Sequence, residues 1–213
     1  MLKQTCLLMA AAAAMLAVQP GNLVAGVTVF DNYGPGWSYT YNMGKNVSGY
    51  MSSTGECHTA AGFVPTAGGK VTDVWLTVGL DYGPNILKVA LLDSNYNGMP
   101  AAEMAAWTVQ DAMQPVGQTG QTPLHWLLAD GPTLVQGNTY WIACSPGDDY
   151  MAAGWYFNAI GEIGCTAQRK HVVDTWKLLY GSDHPAFRVD VTPEPATLAL
   201  VALGGLVALR RRR

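Results

Sequence analysis

The body of this chain is interrupted at short intervals by turn-forming residues, and that spacing leaves little room for helices. Between residues 26 and 192 stand "NYGPG", "DYGPN", "DSNYNGMP", "GPTLVQGN" and "SPGDD". Each is rich in Gly, Pro, Asn or Asp, which supply a positive φ or a fixed one. The runs between them are short and rich in Val, Thr, Trp and Tyr, residues that suit a pleated, half-buried surface. They place strands at 27–31, 37–42, 59–64, 70–79, 86–92, 104–109, 124–128, 139–144, 153–158, 172–179 and 186–191. No helix-period segment of useful length lies among them. Many short strands with frequent turns predict an all-β fold, a single antiparallel β-sandwich of jelly-roll-like form.

Charge narrows the partners. The 213 residues carry a net charge of −3, but the basic residues are unevenly placed. Lys3 and Arg210, Arg211, Arg212 and Arg213 lie in the two ends. Residues 26–193 hold seven basic side chains against fourteen acidic ones, about −7. Nucleic-acid binding draws its affinity from neutralising phosphates, so an acidic body argues against it.

The two ends read as signals. "MLKQTCLLMAAAAAMLAVQPGNLVAG" has a basic start at Lys3, an apolar run from Cys6 to Val18, and small residues after it. That is the layout of a secretory signal peptide, with cleavage placed after Ala25. At the other end, "TPEPATLALVALGGLVALRRRR" runs from Pro193-Glu194-Pro195 through an apolar stretch into Arg210–Arg213. The unbroken apolar run, Ala196 to Leu209, is 14 residues long. As a helix it spans roughly 21 Å, short of the roughly 30 Å hydrocarbon core. Gly204 and Gly205 weaken that helix further. It makes a poor permanent anchor and suits a transient stop, with the arginines left on the cytoplasmic side. The chain therefore divides into a signal peptide (1–25), a β-sandwich ectodomain (26–191) and a sorting segment (192–213).

The tail's three parts in this order resemble the PEP-CTERM sorting signal of exported bacterial proteins. The resemblance implies recognition and processing near the Pro-Glu-Pro by an exosortase, an integral membrane enzyme. It implies a Gram-negative bacterium that makes extracellular polysaccharide. It implies passage through the inner membrane and a final place at the cell surface or in the biofilm matrix. The order "FVPTAGGKVTDVWLTV", "KVALLDSNYNGMP", "HWLLADGPTLVQGNTYWIAC", "GWYFN" and "AFRVDV" is also similar to the choice-of-anchor β-sandwich ectodomains that precede such tails. That likeness covers roughly residues 58 to 191 and implies no established activity.

Within the body several residues stand out. Trp37, Tyr39 and Tyr41 alternate, so in a strand they share one face. Such a row either packs a core or stacks on sugar rings. Trp155 and Tyr156 point to opposite faces, which makes Trp155 a further stacking candidate. Trp75, Trp107, Trp126, Trp141 and Trp176 lie among apolar neighbours and read as core. Three cysteines remain after signal removal, and Cys144 with Cys165 is the favoured disulfide, although three pairings are open. Asp93, Asn95 and Asn97 in "DSNYNG" copy the first half of a calcium loop, but Met104 stands where the closing carboxylate belongs. Asp148 and Asp149 are the other calcium candidates. The four histidines show no metal spacing, and no serine sits in a nucleophile-elbow context. The residues thus point to a non-catalytic exported protein without a cofactor, with carbohydrate binding as the alternative and a glycan hydrolase behind both.

Overall fold

The computed structural model describes residues 26–193 except 119 and 121, so the signal peptide, most of the Pro-Glu-Pro motif and the arginine cluster lie outside the described residues. Every regular element among them is a strand. In chain order these are β1 (Val27–Asp31), β2 (Tyr39–Ser48), β3 (His58–Phe63), β4 (Gly69–Leu76), β5 (Val78–Tyr82), β6 (Ile86–Ser94), β7 (Pro100–Gln110) and β8 (Gln114–Pro115). There follow β9 (Leu124–Leu127), β10 (Thr133–Leu134), β11 (Tyr140–Pro146), β12 (Ala152–Asn158), β13 (Ile163–Arg169), β14 (Lys177–Asp183) and β15 (Phe187–Thr192).

Turn chemistry and strand periodicity produce most of these directly. Between β6 and β7, Asn95 Oδ1 accepts from the backbone N–H groups of Asn97 and Met99, and Gly98 takes φ 73°. Asn95 there closes an Asx turn, which an adjacent glycine in the left-handed region completes. Along β4 the side chains of Val71, Val74 and Leu76 are buried while Lys70 is exposed and Asp73 and Trp75 are half-buried. β3 is buried at all six positions. Its small residues let both faces be covered: Ala61 and Phe63 point into the main core, and Ala60 packs under Trp141 and Leu92 on the other side.

The strands assemble into three sheets. One has six antiparallel strands in the order β14-β13-β3-β11-β6-β7. A second runs β1-β15-β4-β10, with β9 also paired to β4, and a third runs β2-β12-β5-β8. Only Thr77 separates β4 from β5, so one run of chain passes from the second sheet into the third. Ala186 N–H also donates to Tyr156 O at 2.7 Å across the same joint. The two smaller sheets together face the six-stranded one, and Val29, Val74, Leu76, Val89, Ile142, Trp155, Phe187 and Val189 fill the space between. This is a β-sandwich, antiparallel throughout except for the short β5–β8 pairing.

Three expectations need correction. The run 70–79 is broken at Thr77, where the chain changes sheets. The strand expected at 172–179 begins only at Lys177, and β13 precedes it in "IGCTAQR", where no apolar alternation marks a strand. The Cys144–Cys165 disulfide does not form, and Cys57, Cys144 and Cys165 are all free thiols. Cys144 lies on β11 and Cys165 on β13, with β3 between them. Two strand spacings amount to roughly 10 Å, beyond the roughly 7 Å Cα separation that a disulfide tolerates.

Candidate functional site

Pro35, Gly36 and Trp37 form a tight loop, closed by the paired backbone of Gly34 and Ser38. Gly36 and Trp37 take φ values of 68° and 63°. A bulky residue in that region carries backbone strain, and such strain collects at functional positions. What holds Trp37 there is aromatic contact. Its ring lies 5.2 Å from Tyr33 and 5.8 Å from Trp75, and the Arg188 guanidinium sits 5.1 Å from its centroid.

The neighbouring groups are set by strand register. Arg188 of β15 stands opposite Trp75 of β4, and Trp75 stands opposite His125 of β9. Residues directly opposite on one face of an antiparallel pair touch. Arg188 accordingly lies 4.9 Å from the Trp75 ring, and His125 stacks on Trp75 at 4.5 Å with 4° between planes. Asp73 and Asp190 are also directly opposite one another. Two like charges in that position repel unless each is neutralised. Arg188 meets Asp190 through two hydrogen bonds of 2.9 and 2.8 Å, and His125 Nε2 lies 2.8 Å from Asp73 Oδ1. The Asp190 bonds hold the guanidinium above its usual pKa range.

Trp75 and His125 help to wall an open groove of about 640 Å³ on the outer surface where the two smaller sheets meet, and Arg188 lies behind it. Trp37, Ser38, Tyr39, Tyr41, Trp75 and His125 line it, and Gly120, Thr122 and Pro123 close one side. Tyr39 is braced against Tyr156, rings 5.5 Å apart and 13° from parallel. Its volume falls in the range of small-molecule sites, roughly 300–1,000 Å³. Flat aromatic faces with hydroxyls and an imidazole at the edges suit the apolar face and hydroxyl rim of a pyranose.

The three alternating aromatics therefore meet in one groove, though not for the expected reason. Trp37 is in a turn rather than a strand, and the turn swings it onto the same surface as Tyr39 and Tyr41. Trp75, expected in the core, is a groove wall. Trp155 is the clear correction: it is fully buried, with its indole N–H donating to Ala186 O at 3.0 Å. β12 is a central strand covered on both faces, so neither Trp155 nor Tyr156 reaches solvent. Trp107 and Trp126 stack at 6.4 Å and stay half-buried, and Trp176 lies under Arg169 at 4.6 Å. His125 and Arg188 carried no motif, because only strand pairing brings them to Trp75.

The calcium candidates are engaged locally. Asp93 Oδ1 accepts from Ala102 N–H at 2.6 Å, Asn95 closes its turn, and Asp148 Oδ1 accepts from Tyr150 N–H at 2.8 Å. A second polar cluster lies on the six-stranded sheet. There the Glu56 carboxylate bridges His58 Nε2 and His171 Nδ1, each at 2.8 Å. Among the described residues no three His, Cys, Asp or Glu side chains are arranged to hold a metal ion.

Fold and site together define a β-sandwich with an open aromatic surface groove. The tail adds the destination: residues 191–213 match the family model of the PEP-CTERM protein-sorting motif. That motif implies an exported protein, held transiently in the membrane before an exosortase processes it. No curated protein matches the chain.

Proposed function

We propose that the chain is a non-catalytic surface or matrix protein whose ectodomain binds carbohydrate, the exopolysaccharide of its own Gram-negative cell. The observation that carries this reading is the groove of Trp37, Tyr39, Tyr41, Trp75 and His125. Indole and phenol faces offer flat apolar surface on which the C–H face of a sugar ring can stack. The strained backbone of Trp37 supports a role for that ring beyond packing. The proposed binding uses no cofactor.

Affinity electrophoresis through gels holding polysaccharide tests the binding. Retardation of the full chain in mild detergent is expected, and Trp75→Ala should abolish it. A chain that runs unretarded in every gel, with or without calcium, overturns the reading. Sorting has a separate test. Replacing Pro193-Glu194-Pro195 by alanines should leave unprocessed protein in the inner membrane, whereas normal processing would sink the role given to the motif.

A further inference from the structure

We infer that the sugar unit recognised in the groove carries no anionic group: it is a neutral or amino sugar, not a uronic acid or a sulfated one. This rests on the reading of the groove as a glycan site. The reason is the state of the positive charges around it. No Lys or Arg lines the groove among the described residues. Thr119 and Gln121, which flank Gly120 in the chain, are uncharged.

Arg188 is the nearest guanidinium, and it is already ion-paired within the protein. Two of its donors go to Asp190, and Asp31 lies 3.8 Å from a third nitrogen. The Trp37 and Trp75 rings also crowd it, at 5.1 and 4.9 Å from their centroids. The side-on fork of Nε and Nη2, one of the two by which arginine grips a carboxylate, is therefore spent on Asp190. His125 has its Nε2 on Asp73.

Counted together, the three carboxylates of Asp31, Asp73 and Asp190 outnumber the two basic groups that meet them, Arg188 and His125. The local field behind the groove is thus negative. The indole faces add to it, since an aromatic face is the negative end of its quadrupole and attracts cations. A carboxylate or sulfate seated there loses water and gains no cation in return. A hydroxyl loses little, and an ammonium group gains.

The test compares gels of dextran and soluble cellulose ether, of chitosan, and of alginate and polygalacturonate, each with the full chain and with Trp75→Ala. Groove-dependent retardation by a neutral or amino polymer, at least about ten-fold stronger than by either polyuronate, is the expected result. Chitosan retardation that survives Trp75→Ala is attraction to the acidic body at large; if it is the only retardation seen, the inference is overturned. Groove-dependent binding that favours alginate or polygalacturonate overturns the inference while leaving the groove reading intact. No retardation in any gel overturns both. Asp73→Asn should shift the preference toward the polyuronates, and an unchanged preference would show that charge does not set the selectivity.

Discussion

Trp155 is closed off from water with its indole N–H on the Ala186 carbonyl, whereas Trp37 stands 39% exposed at the groove. Truncating the first leaves a cavity in the sandwich. Trp155→Ala should cost about 3–5 kcal/mol, read as a lower denaturant midpoint. Trp37 sits where glycine is at ease, so Trp37→Gly removes backbone strain while losing the ring contacts to Tyr33 and Trp75. Its unfolding midpoint should move by less than about 1 kcal/mol, and its polysaccharide retardation should vanish. A large loss of stability with binding retained would mean that Trp37 serves packing. Sequence treats the two tryptophans alike, because both lie in short aromatic runs. What separates them is a covering layer contributed by chain far away.

At the scale of elements, the Glu56 bridge ties three pieces together. Glu56 precedes β3, His58 begins it, and His171 lies between β13 and β14. Arg169 stands opposite His58 in the ladder, and Asp174 caps the His171 N–H. His58 is buried, and its Nδ1 has no partner. Protonation would place an unmatched N–H there, which is costly. Burial accordingly pushes the imidazole below its ordinary 6.5, against the pull of Glu56. Burial also tends to raise the Glu56 carboxyl, but the bonds from His171 and His58 outweigh it and hold the group below 4.5. Both groups bind fewer protons folded than unfolded as the pH drops. Stability from His58 is present above 6.5 and is lost below it, down through the depressed folded value. Stability from Glu56 follows as the pH falls from 4.5 through its own folded value. Melting temperature should therefore decline in two stages as the pH falls, the first starting near 6.5 and the second near 4.5. His58→Gln, which keeps a donor for Glu56, should flatten the upper stage. An unchanged profile would place the titration elsewhere.

For the whole molecule, the junction between body and tail matters most. The sorting motif starts at residue 191, inside β15. Val191 and Thr192 pair with Val71 and Lys70 of β4, and Val191 also faces Val27 of β1. Pro193 is buried as well. The first residues of the matched motif are therefore part of the sandwich itself. Processing that removed Val191 would strip buried contacts from a strand held on both sides, so the mature C-terminus is expected at or beyond Pro193. Intact mass of the protein recovered from culture reads this directly. A terminus before Val191 would show that the last strand is dispensable.

Strand content, turn positions and the tail were legible in the sequence because each depends on a few adjacent residues: an alternation, a Gly or Asn at a turn, a run of apolar residues ended by arginines. The groove was legible in part. Trp37, Tyr39 and Tyr41 lie close enough in the chain to be read together, but Trp75, His125 and Arg188 come from three separate strands. Their meeting depends on β4 lying between β15 and β9, and the failure of Cys144 to reach Cys165 depends on β3 lying between β11 and β13. Strand order is chosen by burial of the whole core, a sum over distant contacts, and no local pattern encodes it. The sequence by itself determined that this chain is a β protein with a sorting address. Only the tertiary structure decided which aromatics face water and which charges stand behind them.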